Sequence, residues 1–441
     1  MKRKKSSSDN KVERLTFLNK GLKLNSDNLP STELLNENLI LNNTETNSWF
    51  QIKHSNIFTT DYNNINFKSE NLPTNITSCE KINIIFNEQQ KDIIFNWFEG
   101  CRIMYNETVS YFRKNSFENL PTDTNFQNIR TYKLKDIKDK IKKQYNVPSH
   151  TLDGAIKQAC TAYKVGMVHI KKGLIRYFRL RYMKRSKNSQ SMLIEKTAFK
   201  ESSFFTRFLG KEVLNTSNFT YDSVTKDSML HINKVTNRIT LLVPKNNECL
   251  KQETNNFISI DPGTKPFLTC LTNNSLIEVG HNVDSMMRSK FKKIKYMDKS
   301  FYNNKKAEKK LTLKTHKKLY NKIDDLHWKT INYLIKQQPK NIIIGNWSTK
   351  SCVSKSGHIE EITKQIMMKI RYYQFLQRLQ FKCHQNGIVL NIVDESYTSK
   401  MCSHCGMEHE KLGANKTFNC PNCKICIGRD INSTRNMVFA K

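Results

Sequence analysis

The second half of the chain predicts a mixed α/β fold, and three observations carry that prediction. An apolar run, residues 257–260, is a strand that ends on Asp261, and two further short strands follow it as a meander. A long amphipathic helix, residues 362–382, then connects two more apolar strands. A final helix begins near Asp430. Together these elements outline a ribonuclease H type fold.

Two CxxC motifs near Asp430 predict a zinc ribbon inserted in this fold. The four ligands are Cys402, Cys405, Cys420 and Cys423. Each pair lies in a knuckle turn, which lets two thiolates approach one tetrahedral ion. Cys426 is a competing ligand by residue type, but the spacing favours Cys423. We therefore expect one Zn²⁺ ion within residues 401–427.

Asp261 and Asp430 are candidates for a second metal site, built from carboxylates. Asp430 follows the cysteines directly but is not a zinc ligand by type or position. Phosphodiester hydrolysis by two Mg²⁺ ions about 4 Å apart requires several carboxylates that converge from different elements. A strand end and a helix start supply two of them. The third acid is not evident from this pattern.

The charge balance predicts a polyanionic partner. Lys and Arg number 73 and Asp and Glu 39, so the formal net charge is +34. Such an excess favours nucleic acid. No apolar run is long enough to span a membrane, and no secretory signal pattern is present, so we expect a chain that is neither inserted nor secreted. In a reducing compartment the 12 cysteines are expected to be metal ligands and buried thiols.

Two long basic stretches are the candidate nucleic-acid surfaces. Helices are predicted over residues 88–113, 130–144 and 149–184, and strands over 201–243. The third helix ends in a run with interleaved aromatics, which favours phosphate contacts over a solvated face. A second basic helix covers 288–322. The candidate contacts are Lys171, Lys172, Arg176, Arg179, Arg181, Lys184, Arg185, Lys187, Arg288, Lys290, Lys292, Lys293 and Arg435.

The first eighty residues have a different composition. They are rich in Asn, Ser and Thr and lack a sustained hydrophobic period, which predicts a disordered tail over residues 1–80. The basic run 2–5 is either a nuclear address or a solvated terminus, and the sequence does not choose between them.

Four segments of the chain together resemble a known family. They are Ile260–Gly263, Tyr397–Gly406, Phe418–Cys423 and Gly428–Asn436. These segments resemble the C-terminal half of TnpB proteins, and are more similar still to Fanzor, the eukaryotic and giant-virus relatives of TnpB and of type V CRISPR nucleases. The resemblance implies an RNA-guided DNA endonuclease, associated with a transposable element, that binds a guide RNA (omega RNA) and double-stranded target DNA.

The resemblance also implies a domain order. A β-barrel wedge domain is expected over 81–100 and 200–252, a helical recognition domain over 101–199, and a RuvC nuclease domain over 253–400 and 428–441. The zinc ribbon, or target nucleic-acid-binding domain, occupies 401–427. A monomeric protein within the ribonucleoprotein and a location in the nucleus, or in a virus-infected host cell, are the matching expectations.

The third carboxylate departs from the usual TnpB pattern. That pattern has a glutamate after the strand Ile342–Ile344, where this chain has Gly345. The resemblance to Fanzor implies a relocated glutamate, Glu395, on the neighbouring strand, and Asp394 is the rival. The proposed ligands are therefore Asp261, Glu395 and Asp430.

Two other functions stay open, and the missing acid at position 345 favours the first of them. A catalytically silent, RNA-guided DNA-binding regulator is the first alternative. The second is a transposase that cuts element ends without any RNA.

Overall fold

The computed structural model describes residues 51–56, 72–117, 123–217, 219–234, 236–250, 254–300, 305–353, 359–413 and 415–439. The chain forms two compact units. One is Thr77–Asn247, and the other combines Met1–Ile76 with Glu248–Lys441. Most of the predicted tail, including the basic run 2–5, lies outside the described residues.

The strands are, in chain order, β1 (Ile52–Asn56), β2 (Asn75–Ile85), β3 (Ser189–Ile194), β4 (Phe199–Lys200), β5 (Ser203–Phe204), β6 (Leu214–Asn215), β7 (Ser228–Asn233), β8 (Arg238–Glu248), β9 (Phe257–Pro262), β10 (Leu268–Thr272), β11 (Ser275–Val279), β12 (Asn341–Gly345), β13 (Val389–Val393), β14 (Thr417–Asn419) and β15 (Cys426–Gly428).

The α-helices are α1 (Glu88–Phe117), α2 (Phe126–Asn128), α3 (Lys135–Tyr145), α4 (Ser149–Lys171), α5 (Thr206–Leu209), α6 (Val283–Ser300), α7 (Lys305–Lys336), α8 (Thr349–Cys352), α9 (Glu361–Ile370), α10 (Tyr372–Gln385) and α11 (Arg429–Met437). No helix in the described ranges combines the length and the apolar character needed to span a membrane.

The C-terminal unit is built on a six-stranded sheet in the order β1-β11-β10-β9-β12-β13. Strands β9, β10 and β11 form the predicted antiparallel meander, and β12 runs parallel to both β9 and β13. The predicted mixed α/β fold is confirmed. Residues Ile258, Ile260, Ile342 and Ile344 are at most 1% exposed. Apolar side chains on parallel strands are buried because helices cover the faces of the sheet.

The first strand corrects the prediction of a tail. Strand β1 pairs antiparallel with β11, with Ile52 opposite Val279, and Ile52 is buried. Strand β2 also begins inside the predicted tail, at Asn75. Local composition failed here because β1 has its hydrogen-bonding partner more than 200 positions away in the sequence.

Two predicted helices end or break early. Helix α4 ends at Lys171, and Gly173, at φ +66°, follows in the left-handed conformation. The N–H of Leu174 donates to the carbonyl of His169 and that of Gly173 to the carbonyl of Ile170, which is a Schellman cap. The predicted helix over 362–382 is likewise two helices, α9 and α10, divided at Arg371, whose φ is +54°. The predicted basic helix over 288–322 is also divided, because its first part lies in α6, which ends at Ser300, and its second part lies in α7, which begins at Lys305 and continues to Lys336.

The N-terminal unit packs helices on a five-stranded sheet in the order β3-β7-β8-β2-β6. Trp97 of α1 is fully buried, and its indole N–H donates to the carbonyl of Asn146 at 2.9 Å. The predicted boundary between wedge and recognition domains does not coincide with an element boundary. Helix α1 runs unbroken across residue 100, and β3, inside the predicted helical segment, pairs with β7.

Candidate active site and metal centre

Two of the predicted carboxylates are brought together by the sheet and the last helix. Asp261 lies near the end of β9, and Asp430 lies in the first turn of α11. Helix α11 is held on β9 by Ser259, whose hydroxyl donates to the carbonyl of Thr434 at 2.7 Å. This contact places the start of the helix beside the strand end, as the sequence analysis expected.

Glu395 completes the group by occupying space that Gly345 leaves open. In the parallel register Ile344 lies opposite Ile260, and Gly345 opposite Val393. A Cβ built on Gly345 would meet Cγ of Glu395 at 2.5 Å and its Cδ at 2.6 Å. Real Cβ atoms do not come this close to other heavy atoms. The Glu395 side chain therefore folds back over the end of β12, next to the strand that carries Asp261.

Asp394, the rival acid, has a different environment. Its side chain is exposed. Its Oδ1 accepts hydrogen bonds from the backbone N–H of Ser396 at 3.0 Å and from the Ser396 hydroxyl at 2.7 Å. This carboxylate closes a local turn instead of reaching over β12, which favours Glu395 as the third member of the cluster.

The three carboxyls all have raised pKa values, and burial is the main cause for each. Burial raises the pKa of Asp261 well above its ordinary value, and the charges of Asp430 and Glu395 raise it further. Burial raises the pKa of Glu395 to about 7, with a second contribution from Asp394. Burial also raises the pKa of Asp430, although Lys416 and Arg429 oppose that rise. In the bare protein the cluster therefore favours partial protonation.

The cluster has the properties of a site for a hard divalent cation. Oε1 of Glu395 is buried and has no hydrogen-bond partner among the described residues. Such an oxygen is costly unless a proton or a cation satisfies it. Carboxylate oxygens from three separate elements are the ligands that Mg²⁺ and Mn²⁺ prefer. The residue types are therefore those that the predicted metal prefers, while among the described residues only the four cysteines bring three or more ligand atoms within 4.8 Å of one another.

Tyr372 supports this cluster and was not predicted. Its hydroxyl donates to the carbonyl of Gly345 at 2.6 Å, so it fixes the end of β12 under the Glu395 carboxyl. Burial raises the pKa of Tyr372 well above its ordinary value, and the charges of Glu395 and Asp261 add to the rise. Helix α10 begins at this residue because Arg371 breaks the preceding helix.

The four predicted cysteines lie together. Their sulfur atoms are all within 4.8 Å of one another. Sγ of Cys402 is 3.6 Å from that of Cys423, and Sγ of Cys405 is 3.5 Å from that of Cys420. A tetrahedral zinc ion with Zn–S bonds of about 2.3 Å requires sulfurs roughly 3.8 Å apart. The quartet fits such an ion, and the exposed Cys426 is not part of this group.

Two asparagines of α11 connect the cysteine cluster with the carboxylates, and sequence reasoning missed both. The Nδ2 of Asn432 donates to the carbonyl of Met401 at 2.6 Å, and its Oδ1 accepts from the N–H of Ser403 at 2.8 Å. The Nδ2 of Asn436 donates at 2.7 Å to the carbonyls of both Thr398 and Met401.

Both asparagine side chains are at most 1% exposed. Their spacing of four residues on one helix face was the available signal. The segment they hold, residues 398–403, joins the Glu395 turn to the first cysteine. One helix therefore carries Asp430 and positions the backbone between the cysteine cluster and the Glu395 turn.

The basic candidates differ in how exposed their side chains are and in whether they contact acidic groups. The basic side chains of residues 171–187 are all exposed, although Arg185 contacts Glu99 at 3.6 Å. The interleaved Tyr177 and Tyr182 are 73% and 43% exposed. Lys292 and Lys293 are exposed and Lys290 is half-buried. Arg435 is half-buried, and its Nε has no hydrogen-bond partner among the described atoms.

Arg288 is a correction to the predicted set. Its guanidinium contacts Asp284 at 2.8 Å and Glu360 at 2.9 Å, and it also donates to the hydroxyl of Thr363. Two carboxylates already neutralise this charge, so Arg288 holds α6 to the start of α9. It is not a free contact for phosphate.

Comparison with known proteins finds one matching family model and similar viral proteins. Residues 372–437 match the family model of the Cas12f1-like TNB domain. The TnpB-like protein L770 of Acanthamoeba polyphaga mimivirus is 29% identical over 399 residues, which cover 84% of this chain and 74% of that protein. Protein A625R of Paramecium bursaria Chlorella virus 1, named a transposase, is 26% identical over 205 residues, 45% of this chain and 46% of that protein.

The fold also resembles a solved structure. The chain in the cryo-EM structure of the Cas12f1-sgRNA-target DNA complex has a TM-score of 0.50 and 13% sequence identity, and the likeness covers 81% of this chain and 84% of that one. Identity at this level is evidence for a shared fold only. Taken with the sequence relatives, it supports a relationship with the TnpB and Cas12 proteins.

Proposed function

We propose that this chain is an RNA-guided DNA endonuclease that hydrolyses phosphodiester bonds at a RuvC-type site formed by Asp261, Glu395 and Asp430. One observation carries the proposal: the Glu395 carboxyl lies over Gly345, in the space that a side chain at that position would fill. If the chain had only lost the acid at position 345, no second carboxylate would be expected in the same space.

The protein's own groups would prepare the site as follows. The three carboxylates would hold a pair of Mg²⁺ ions, and their raised pKa values mean that cation binding competes with protons. Bound cations would supply activation of the attacking water and stabilisation of the leaving oxygen. Ser433 donates a hydrogen bond to Asp261 and orients it. Tyr372 holds the end of β12.

The partners follow from the charge and from the relatives. A net charge of +34 and an exposed basic segment, residues 171–187, are suited to a phosphate backbone. We assign to this chain a guide RNA and a double-stranded DNA target, because the Cas12f1 relative is named in complex with sgRNA and target DNA. Membership of the Fanzor group, zinc in the cysteine quartet, a monomeric protein in the ribonucleoprotein, association with a transposable element and a nuclear location belong to the same proposal.

Cleavage of a matched target tests this function. The full chain would be combined with RNA transcribed from the flanks of its gene, a DNA duplex matching that RNA, and Mg²⁺. We expect cutting by the wild type and by Asp394→Ala, and loss of cutting with Asp261→Ala and Glu395→Ala. Asp394→Ala is the matched control because its carboxylate is next in sequence but exposed.

The alternatives give different results in the same assay. RNA-dependent DNA binding without cutting, at any Mg²⁺ or Mn²⁺ concentration, would identify the silent regulator. Sequence-specific cutting that needs no RNA would identify a transposase. Equal cutting by Glu395→Ala and wild type would remove Glu395 from the site.

A further inference from the structure

The N-terminal unit contains a cavity of about 540 Å³, which is within the size range of small-molecule binding sites. It lies among α1, α4, β3 and β7, with the side chain of Met183 at one side. Its floor is buried and includes Cys101, Thr151 and Ala155, while the exposed side chains of Lys157 and Asp227 line its mouth. None of these residues takes part in the metal sites described above.

The walls are suited to a flat apolar group. Three methionines, Met183, Met192 and Met229, line the cavity together with Leu193 and small side chains. Methionine side chains adapt to irregular shapes, and their sulfur makes favourable contacts with aromatic rings. A planar heteroaromatic ring would fit between such walls.

The floor carries an unsatisfied polar group. Thr151 is 1% exposed, and its hydroxyl Oγ1 has no hydrogen-bond partner among the described residues. A buried hydroxyl without a partner is destabilising. A ligand with polar atoms on its edge would satisfy it. Oδ1 of Asp227 accepts from the N–H of Lys196 at 3.0 Å, which leaves its Oδ2, together with the amide of Gln158, to form hydrogen bonds to such an edge at the mouth.

The cavity is continuous with the basic segment, residues 171–187. Met183 belongs to that segment, and exposed Arg181, Tyr182, Lys184 and Arg185 flank it. The backbone of Met183 is fixed to α1. Its N–H donates to Oδ1 of Asn106 at 2.7 Å, and its carbonyl accepts from Arg102 at 3.3 Å. A strand whose phosphates follow the basic segment would therefore pass the mouth of the cavity.

We infer that this cavity binds one unpaired nucleobase of a nucleic-acid strand whose phosphates lie along residues 171–187. The methionines contact the faces of the base, and Thr151, Gln158 and Asp227 contact its edge. This inference rests on the proposed function in requiring a nucleic-acid partner. It adds a base-binding subsite that is independent of the catalytic centre.

Three variants of the full chain test the subsite. Ala155→Phe fills the cavity from α4, and Val165→Phe adds the same ring to an exposed position of that helix, 48% exposed in the wild type. Thr151→Val removes only the unsatisfied hydroxyl. Binding of short single-stranded homopolymers, as RNA and as DNA, would be measured by fluorescence anisotropy without divalent metal.

We expect Ala155→Phe to weaken binding about tenfold, the size of one lost base-stacking contact, with Val165→Phe unchanged. Thr151→Val should raise thermal stability yet reduce the preference among the homopolymers. Whichever of RNA and DNA loses more affinity in Ala155→Phe is the strand whose base enters the cavity. Equal binding by Ala155→Phe and wild type would overturn the inference.

Photo-crosslinking keeps the inference testable if Ala155→Phe fails to fold. Wild-type protein would be irradiated with 4-thiouridine or 4-thiothymidine oligonucleotides, and the crosslinked peptides identified by mass spectrometry. Crosslinks to peptides containing Met192 or Met229 support the subsite. Crosslinks confined to exposed residues of the basic segment would contradict it. Absence of any binding by the wild type would instead contradict the proposed function.

Discussion

The cysteine quartet and the carboxylate cluster lie in one compact unit, but they differ in how far apart in the sequence their residues lie. The cysteines come from two turns that lie close together in sequence, the first flanked by the Met401–Glu408 bridge and the second by the paired strands β14 and β15. The carboxylates come from β9, the end of β13 and the start of α11. Local turn geometry is enough to assemble the first site. The second depends on the register of a sheet, so a change in one strand can be compensated from the next.

The largest expected effect comes from moving the third carboxylate from position 395 to position 345, at the end of β12. This exchange tests whether one strand can supply a group that its neighbour lacks. Glu395→Ala removes a proposed metal ligand and should lower cleavage by about a thousandfold, the effect of losing several kcal/mol of transition-state stabilisation. Gly345→Glu in the Glu395→Ala background should restore part of it, since both side chains occupy the same space.

Gly345→Ala alone is the control for that exchange. Its Cβ would collide with Glu395, so it should also lose cleavage although it removes no carboxylate. Single-turnover cleavage rates distinguish these variants. If the double variant stayed inactive while Gly345→Ala cut normally, the two positions would not share one site.

Removal of one thiolate tests the local character of the cysteine site. Cys423→Ser should reduce bound zinc from about one ion per chain to near zero and unfold the knuckles, because structural zinc contributes directly to folding. Cys426→Ser should leave zinc content unchanged, because Cys426 is exposed and outside the quartet. Zinc is measured by elemental analysis of the purified protein. Equal zinc loss in both variants would show that Cys426 is a ligand.

The asparagine contacts of α11 predict that the two sites are coupled. Asn436→Ala removes donors to two buried carbonyls and should cost about 1–3 kcal/mol of stability. We expect a 10–100-fold loss of cleavage with zinc still bound, which is the range for residues that orient metal ligands. Asn415→Ala, an exposed asparagine near the second knuckle, is the matched control. Full cleavage by Asn436→Ala at a lowered unfolding temperature would assign it stability alone.

The smallest expected effect is a pH dependence of stability in the metal-free protein. The pKa of Glu395 rises on folding from 4.5 to about 7, so the folded chain binds more protons between these values. Its free energy of unfolding should therefore fall as pH rises from about 4.5 to about 7, and Glu395→Gln should reduce that slope. Urea unfolding in the presence of a chelator measures it. A wild-type slope equal to that of Glu395→Gln would mean that the Glu395 carboxyl does not titrate in this range.

The prediction from sequence succeeded where the determining contacts are local. The strand that ends on Asp261, the helix that begins at Asp430 and the two CxxC turns each follow from residues a few positions apart. Glu395 was reachable only through the resemblance to a family, and Tyr372, Asn432 and Asn436 were missed because their partners lie on other elements.

The sequence by itself determined the strands of the meander, the two apolar strands that follow it, the grouping of four cysteines and the excess of positive charge. Backbone propensity, side-chain periodicity and thiolate spacing act within a few residues, so they can be recognised in one dimension. Only the tertiary structure decided that residues 52–56 join the sheet, that Arg288 is neutralised and that Glu395 lies over Gly345. Each of these depends on packing between segments far apart in the chain, where the register of paired strands and the space left by a missing side chain determine which groups meet.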